Sequence, residues 1–178
     1  MNVQIRLATM ADTPALEKLI RDSVANLSTE FYTDTQIESG LSHIFGVDTQ
    51  LILDETYFIA EIDHTIAGSG GWSKRETLFG GDQFKSGERD RLLDPANEAA
   101  RLRAFYVHPR WSRQGVGSRV LMECENAAKL AGFSRIELVA TLPGERLYAA
   151  RGYERVDAMQ LETPSGESLA AFRMTKCL

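Results

Sequence analysis

From Phe105 to Ser118 the chain reads Phe-Tyr-Val-His-Pro-Arg-Trp-Ser-Arg-Gln-Gly-Val-Gly-Ser. An apolar run breaks at Pro109, and two glycines one residue apart, Gly115 and Gly117, follow. Val116, Val120, Leu121, Cys124, Ala127 and Ala128 then recur at helical spacing. A strand therefore runs through a short turn into a helix that begins at the glycines. The first amides of a helix have no partner within it, and the helix dipole adds about half a positive charge at that end. Glycine removes the β-carbons that would hold an anion away, so this junction suits a diphosphate or a similar anion. Arg110 and Arg113 add side-chain charge nearby. A bare Gly-x-Gly can also merely join a strand to a helix; the flanking strand and amphipathic helix favour the anion site. The turn lacks the Gly-Lys-Ser/Thr of a P-loop and the third glycine of a dinucleotide fingerprint.

Elements on both sides must hold that turn in place. A strand is expected from Val3 to Ala8, then a helix started by Thr9 or Asp12 with Leu16, Leu19, Ile20, Val24 and Leu27 on one stripe. A second helix is expected from Asp34 to Phe45, and strands over Tyr57–Ile62 and Thr65–Trp72 across a tight Asp63-His64 turn. Gly68, Gly70 and Gly71 suggest a bulge or a close backbone approach in the second strand. Residues 74 to about 99 show no period and read as a loop or a short irregular excursion, of a length usually functional or disordered. The strand Leu102–Val107 follows, with the glycine turn, a helix to Ala131 ended by Gly132, and a strand Arg135–Thr141. A short helix from Gly144 to Arg151 precedes two closing strands, Tyr153–Met159 and Ser168–Thr175. This order describes one α/β (α+β) domain over 1–178, with a mostly antiparallel sheet and one parallel crossover.

Composition narrows the class. The 178 residues carry 20 Lys and Arg against 25 Asp and Glu, a net charge of −5, which argues against binding nucleic acid through a basic face. No apolar run approaches a membrane span, and the first residues do not form a secretion signal. The two cysteines, Cys124 and Cys177, belong to no CxxC or Cys/His cluster, so no metal is expected, and a reducing, cytoplasmic setting is. The sequence leaves homodimer formation open.

The run from Phe105 to Ser118 resembles the acetyl-coenzyme A motif of the GNAT acetyltransferase superfamily: a strand ending in Val-x-Pro, then Arg/Gln-x-x-Gly-x-Gly/Ala at a helix start. Ser112 stands where Arg or Gln is usual, and Arg113 follows one place later. A second stretch, Leu147-Tyr148 and then Gly152-Tyr153, matches the family at the right distance; together the two cover roughly residues 101–155. The resemblance implies a GNAT-type sheet flanked by helices, with strands 102–107 and 135–141 splayed around the cofactor. It implies that the backbone of Phe105, Tyr106 and Val107 pairs with the pantetheine arm and the acetyl carbonyl, as an added strand would. The amides of Arg113, Gln114, Gly115, Val116, Gly117 and Ser118 would hold the pyrophosphate. Pro143 replaces an asparagine that contacts the cofactor in many members.

The same resemblance implies transfer of acetyl from acetyl-CoA to a primary amine by direct attack in a ternary complex. That chemistry needs a neutral amine, a stabilised oxyanion and an acid for the departing thiolate. Tyr148 resembles the family acid, since a phenol with pKa near 10 is protonated at neutral pH; anchoring its helix is the other role open to it. Glu137 is the first candidate base, because some members place one on this strand, and a salt-bridged glutamate is the alternative. Glu98 or a water relay could also serve. The acceptor is expected to be a small molecule in preference to a protein. The contrasting reading is a non-catalytic acyl-CoA sensor on the same fold. Residues 74–99 are expected on the acceptor side, with Phe79 and Phe84 as an apolar wall and Asp82, Glu88 and Asp90 as attraction for a cation.

Overall fold

The structure, a computed structural model, describes residues 2–85 and 90–178. Among these, β1 (Gln4–Leu7), β2 (Tyr57–Ile62), β3 (Thr65–Ser73), β4 (Ala100–Val107), β5 (Arg135–Thr141), β6 (Glu154–Glu162) and β7 (Ser168–Cys177) form one seven-stranded sheet in the order β1-β2-β3-β4-β5-β7-β6. Every neighbouring pair is antiparallel except β4 and β5. The expected α/β class with a mostly antiparallel sheet is therefore observed.

Helices cover both faces. On one lie α1 (Thr13–Leu27), α2 (Asp34–His43) and α3 (Thr49–Leu53); on the other lie α4 (Val116–Leu130) and α5 (Glu145–Ala150). The α1 stripe of Leu16, Leu19, Ile20 and Val24 is buried, as its spacing requires. So is the α4 stripe of Val116, Val120, Leu121, Cys124 and Ala128. Asp63 and His64 both take positive φ (48° and 59°), the backbone that a two-residue hairpin demands. The five-residue α3 was not expected; it is too short to show a period. Cys124 is buried and Cys177 exposed, both as free thiols. No helix among the described residues is long and apolar enough to cross a membrane.

The glycines of β3 act through close approach. A β-carbon at Gly68 would come within 2.9 Å of Val116, and one at Gly70 would strike the Phe105 ring and come within 3.0 Å of Val120. Their absence lets the start of α4 sit directly on the sheet. The bulge lies opposite, in β4: Gly71 pairs with Arg103 and Ser69 with Tyr106, so Gly70 alone faces Ala104 and Phe105.

The described residues of 74–99 are mostly irregular, with pairing only where the two ends meet. Glu76 N–H bonds Arg91 O and Leu93 N–H bonds Lys74 O, with an antiparallel bridge between Arg75 and Leu92, so both ends continue β3 as a short ladder. Arg75 also reaches Asp54 at 2.7 and 2.9 Å. The far part docks on the end of α2, where Gly81 N–H bonds Ile44 O and Asp82 N–H bonds Val47 O. The described residues of this segment show no period because main-chain bonds and ion pairs hold them, with isolated apolar anchors at Phe79 and Leu93.

Candidate active site

The turn between β4 and α4 exposes its amides as the glycine spacing required. Arg113 and Gly115 both take positive φ (60° and 87°), alternating with residues of negative φ, which turns successive N–H groups toward one side. Gly115 is the N-cap of α4. Gln114 uses its side chain elsewhere, donating to the Arg110 carbonyl at 2.8 Å and closing the turn. Val116 is buried, anchoring the helix start. At Gly117 a β-carbon would stand 3.1 Å from Leu147 and 3.3 Å from Val107, so only glycine keeps this wall thin without displacing a neighbour.

Beside the turn, the sheet opens. Strands β4 and β5 pair only at Ala100–Ile136 and Arg101–Glu137. The bulge causes the divergence: Ala104 sits at φ 51°, a conformation costing roughly 1–2 kcal/mol for a residue with a β-carbon. The Tyr57 hydroxyl, buried beneath, donates to the Ala104 carbonyl at 3.2 Å and holds the kink. Beyond Arg101 the β5-facing edge of β4 thus has main-chain groups that no strand takes up among the described residues.

A cleft of about 710 Å³ occupies this opening. Its lining joins the turn (Ser112, Arg113, Gly115, Gly117, Ser118), the strand Leu102 to Val107, and Arg146, Leu147 and Tyr148 of α5. Arg113 and Arg146 give this end its positive charge. Tyr148 is 7% exposed, between Phe105 and Tyr153, with ring centroids 5.9 and 5.7 Å away and both edge to face. Burial raises its pKa above the ordinary phenol value, so it carries its proton through neutral and mildly alkaline pH. Tyr106 points its ring into the opposite core, where burial likewise raises its pKa.

The candidate bases are placed otherwise. Glu137 is ion-paired with Arg101 and lies 3.5 Å from Arg173; it is not among the residues lining the cleft with Tyr148. Arg101 stands across from it at the one place where β4 and β5 are joined, so its carboxylate ties the strands together at the closed end of the splay. Glu98 is held by Arg91 at 2.7 Å on the surface. His108 accepts the Arg110 N–H at 3.1 Å and stacks against Trp111, also off the cleft.

The cleft continues past Tyr148 to a wall made by α1, the turn after it, the end of α2, and Leu78, Phe79 and Gly80. Phe79 lines this part of the cleft, with Phe84 packed against it at 4.8 Å. Asp82 and Asp90 do not line it. Asp82 accepts the Thr49 N–H and caps α3, Asp90 accepts the Thr77 N–H behind β4, and Glu88 lies outside the described residues. Sequence reasoning missed Arg146, Tyr57, Glu30 and Phe31. Tyr57 and Phe31 stand far from the motif in sequence and carried no pattern; Arg146, two residues before Tyr148, was within reach of the motif.

A family model of the acetyltransferase (GNAT) family matches residues 21–155. No curated protein matches the chain. Among solved structures, a GCN5-related N-acetyltransferase from Rhodopseudomonas palustris superposes with a TM-score of 0.72 at 19% identity, covering 100% of this chain and 97% of that one. PaiA N-acetyltransferase from Thermoplasma acidophilum, in complex with coenzyme A, gives 0.68 at 17% identity, with 100% of both chains covered. YncA from Salmonella typhimurium, with its cofactor acetyl-CoA, gives 0.64 at 17% identity, covering 99% of this chain and 94% of that one. At these identities the likeness is one of fold.

Proposed function

Because this chain belongs to the GNAT acetyltransferase family, we propose that it is an N-acetyltransferase moving acetyl from acetyl-CoA to a primary amine by direct attack in a ternary complex. The observation that supports this reading is one cleft lined together by the glycine turn, the unpaired edge of β4, Tyr148 and residues of α1, the turn after it and 78–80, which we take as the acceptor side. We read residues 1–178 as one domain serving that cleft.

The thinned wall at Gly117 and the amide-lined turn suit a pyrophosphate, with Arg113 and Arg146 adding charge. The free edge of β4 suits the amide groups of a pantetheine arm, which bond as a strand would. Acetyl-CoA supplies an acyl carbonyl activated by its thioester. Main-chain N–H groups after the Ala104 bulge are fixed before reaction and stabilise the oxyanion as the amine nitrogen bonds the carbonyl carbon. As the C–S bond breaks, Tyr148 gives its phenolic proton to the sulfur, and the proton leaving nitrogen passes to water. Tyr148 regains its proton from solvent. No cysteine lines the cleft among the described residues, and Cys124 is buried with its sulfur 3.5 Å from the Gly70 carbonyl, which favours direct attack over an acyl-enzyme.

Thermal unfolding and thiol release test this reading together. Acetyl-CoA raises Tm, NAD and ATP do so much less, and free thiol appears only when acetyl-CoA and a primary amine are both present. Stabilisation by acetyl-CoA without thiol release, across a broad amine panel, identifies an acyl-CoA sensor instead.

A further inference from the structure

Away from the turn the cleft carries apolar side chains of Leu27, Phe31, Phe45, Leu78, Phe79 and Leu161, interspersed with the small polar Ser23, Asn26, Ser28 and Thr29. The wall is also braced. Phe79 packs on Phe84, and the turn bearing Phe31 is fixed by its neighbour Tyr32, whose hydroxyl donates to the Ala170 carbonyl at 2.6 Å and accepts the Leu142 N–H at 2.9 Å. Glu30, exposed on the same turn, is the only carboxylate among the described residues that line the cleft. Nearby acids are committed elsewhere: Asp48 is fully buried against Arg103 and Lys85, Asp82 caps α3, and Asp90 faces Thr77 and Arg103.

A slot of this make-up discriminates by charge. Each ammonium that enters loses its hydration and needs a partner there. A polyamine or a basic peptide brings several cations to a lining with one carboxylate among its described residues. An amine with one nitrogen and an apolar body brings a single cation and a surface that the Phe and Leu side chains cover. The same apolar surroundings disfavour the ammonium form and lower the pKa of the entering amine. That supplies the neutral nucleophile at a place where no carboxylate or histidine lines the cleft beside Tyr148 among the described residues.

We propose that the acceptor is an aralkylamine: a primary amine on a short chain bearing an aromatic ring, guided to the mouth by Glu30 and seated against Phe31, Phe45 and Phe79. This rests on the acetyltransferase reading and names its acceptor class. The amine nitrogen gains the acetyl carbon and loses one proton to water, and the product is a neutral amide that no longer attracts Glu30, which favours its release.

The test compares 2-phenylethylamine, spermidine and a peptide with N-terminal alanine in a thiol-release assay with saturating acetyl-CoA. Phenylethylamine is expected to show a kcat/KM at least about 10-fold above the other two, the scale of apolar-pocket discrimination. Phe79→Ala, and separately the exposed Phe31→Ala, should each raise its KM by about 10-fold. Acetyl-CoA affinity should stay unchanged in both, which also shows that they fold. Preference for spermidine or the peptide overturns the aralkylamine class and leaves the acetyltransferase reading standing. Unchanged KM in both variants also overturns the proposal. No thiol release with any of the three, in protein that binds acetyl-CoA, overturns the aralkylamine class; the acetyltransferase reading falls only if the broad amine panel also gives no release.

Discussion

At the end proposed to bind the anion, the cleft is shaped mainly by one run, residues 112–118, whereas at the end proposed for the acceptor it is lined from α1, the turn after it, Ile44 and Phe45 just past α2, the segment 78–80 and β6. Main-chain amides are present whatever the side chains are, so the anion end asks only for backbone shape. That demand falls on glycines and on a helix start, which are visible as a motif. The acceptor end asks for particular surfaces, and those can be supplied from any segment that the fold brings near. Its residues are accordingly spread from Leu27 to Leu161 with no common spacing.

The strongest way to break this contrast is to put a side chain into the anion end. Gly117→Glu drives a β-carbon toward Leu147 and Val107 and sets a carboxylate at the amides. It should weaken acetyl-CoA binding by about 10³-fold or more, roughly 4 kcal/mol, as read by calorimetry or by loss of the Tm shift. Gly115→Ala meets nothing within 4 Å, and only its positive φ resists the change, so it should cost about 1 kcal/mol of stability with binding largely kept. Equal effects at the two glycines would mean that conformation, rather than space for the ligand, accounts for both.

The second prediction concerns how the acceptor side is attached. Arg103, buried on β4 immediately before the bulge, lies 2.5 Å from Asp48 and donates to the Thr77 carbonyl at 2.9 Å, with Asp90 at 3.8 Å. It thus joins α3 and the inserted segment to the strand that lines the cleft. Arg103→Leu leaves buried carboxylates without that cation and should destabilise the fold by about 3 kcal/mol in urea unfolding. In the surviving folded protein, the acceptor KM should rise more than the acetyl-CoA Kd. A variant as stable as the parent would show that Lys85 alone balances Asp48.

Between the two ends stands Tyr148, and there the expected effect is on rate. Tyr148→Phe should lower kcat by about 10²-fold with acetyl-CoA affinity retained. Because burial raises the phenol's pKa, its proton is lost only at strongly alkaline pH. In the parent enzyme kcat should therefore show no descending limb up to about pH 10, the ordinary phenol value. A fall in kcat between pH 8 and 9, or turnover of the Phe variant within a factor of three of the parent, would assign Tyr148 to packing against Phe105 and Tyr153.

The amino-acid sequence by itself determined what depends on near neighbours in the chain. The helix stripes of α1 and α4, the Asp63-His64 hairpin and the glycine turn are each specified within a few residues, because helix periodicity, positive φ and exposed amides are local properties. The close approach at Gly68 and Gly70 was also legible, as a cluster of glycines in a strand. Tertiary structure decided the rest. Glu137 reads in sequence as a carboxylate in want of a reason; folding supplies Arg101 from a strand that pairs with β5 at only two residue pairs. The segment 74–99 reads as a loop; among its described residues the ends pair at Arg75 and Leu92, and Gly81 and Asp82 bond the chain from Ile44 to Thr49. Placing the Tyr57 hydroxyl under Ala104 took three strands in register, and Glu30 and Phe31 reached the cleft only once Tyr32 bonded β7 and the chain after β5. Such contacts join residues that are tens of positions apart, and their energies depend on burial and approach that no short window of sequence contains.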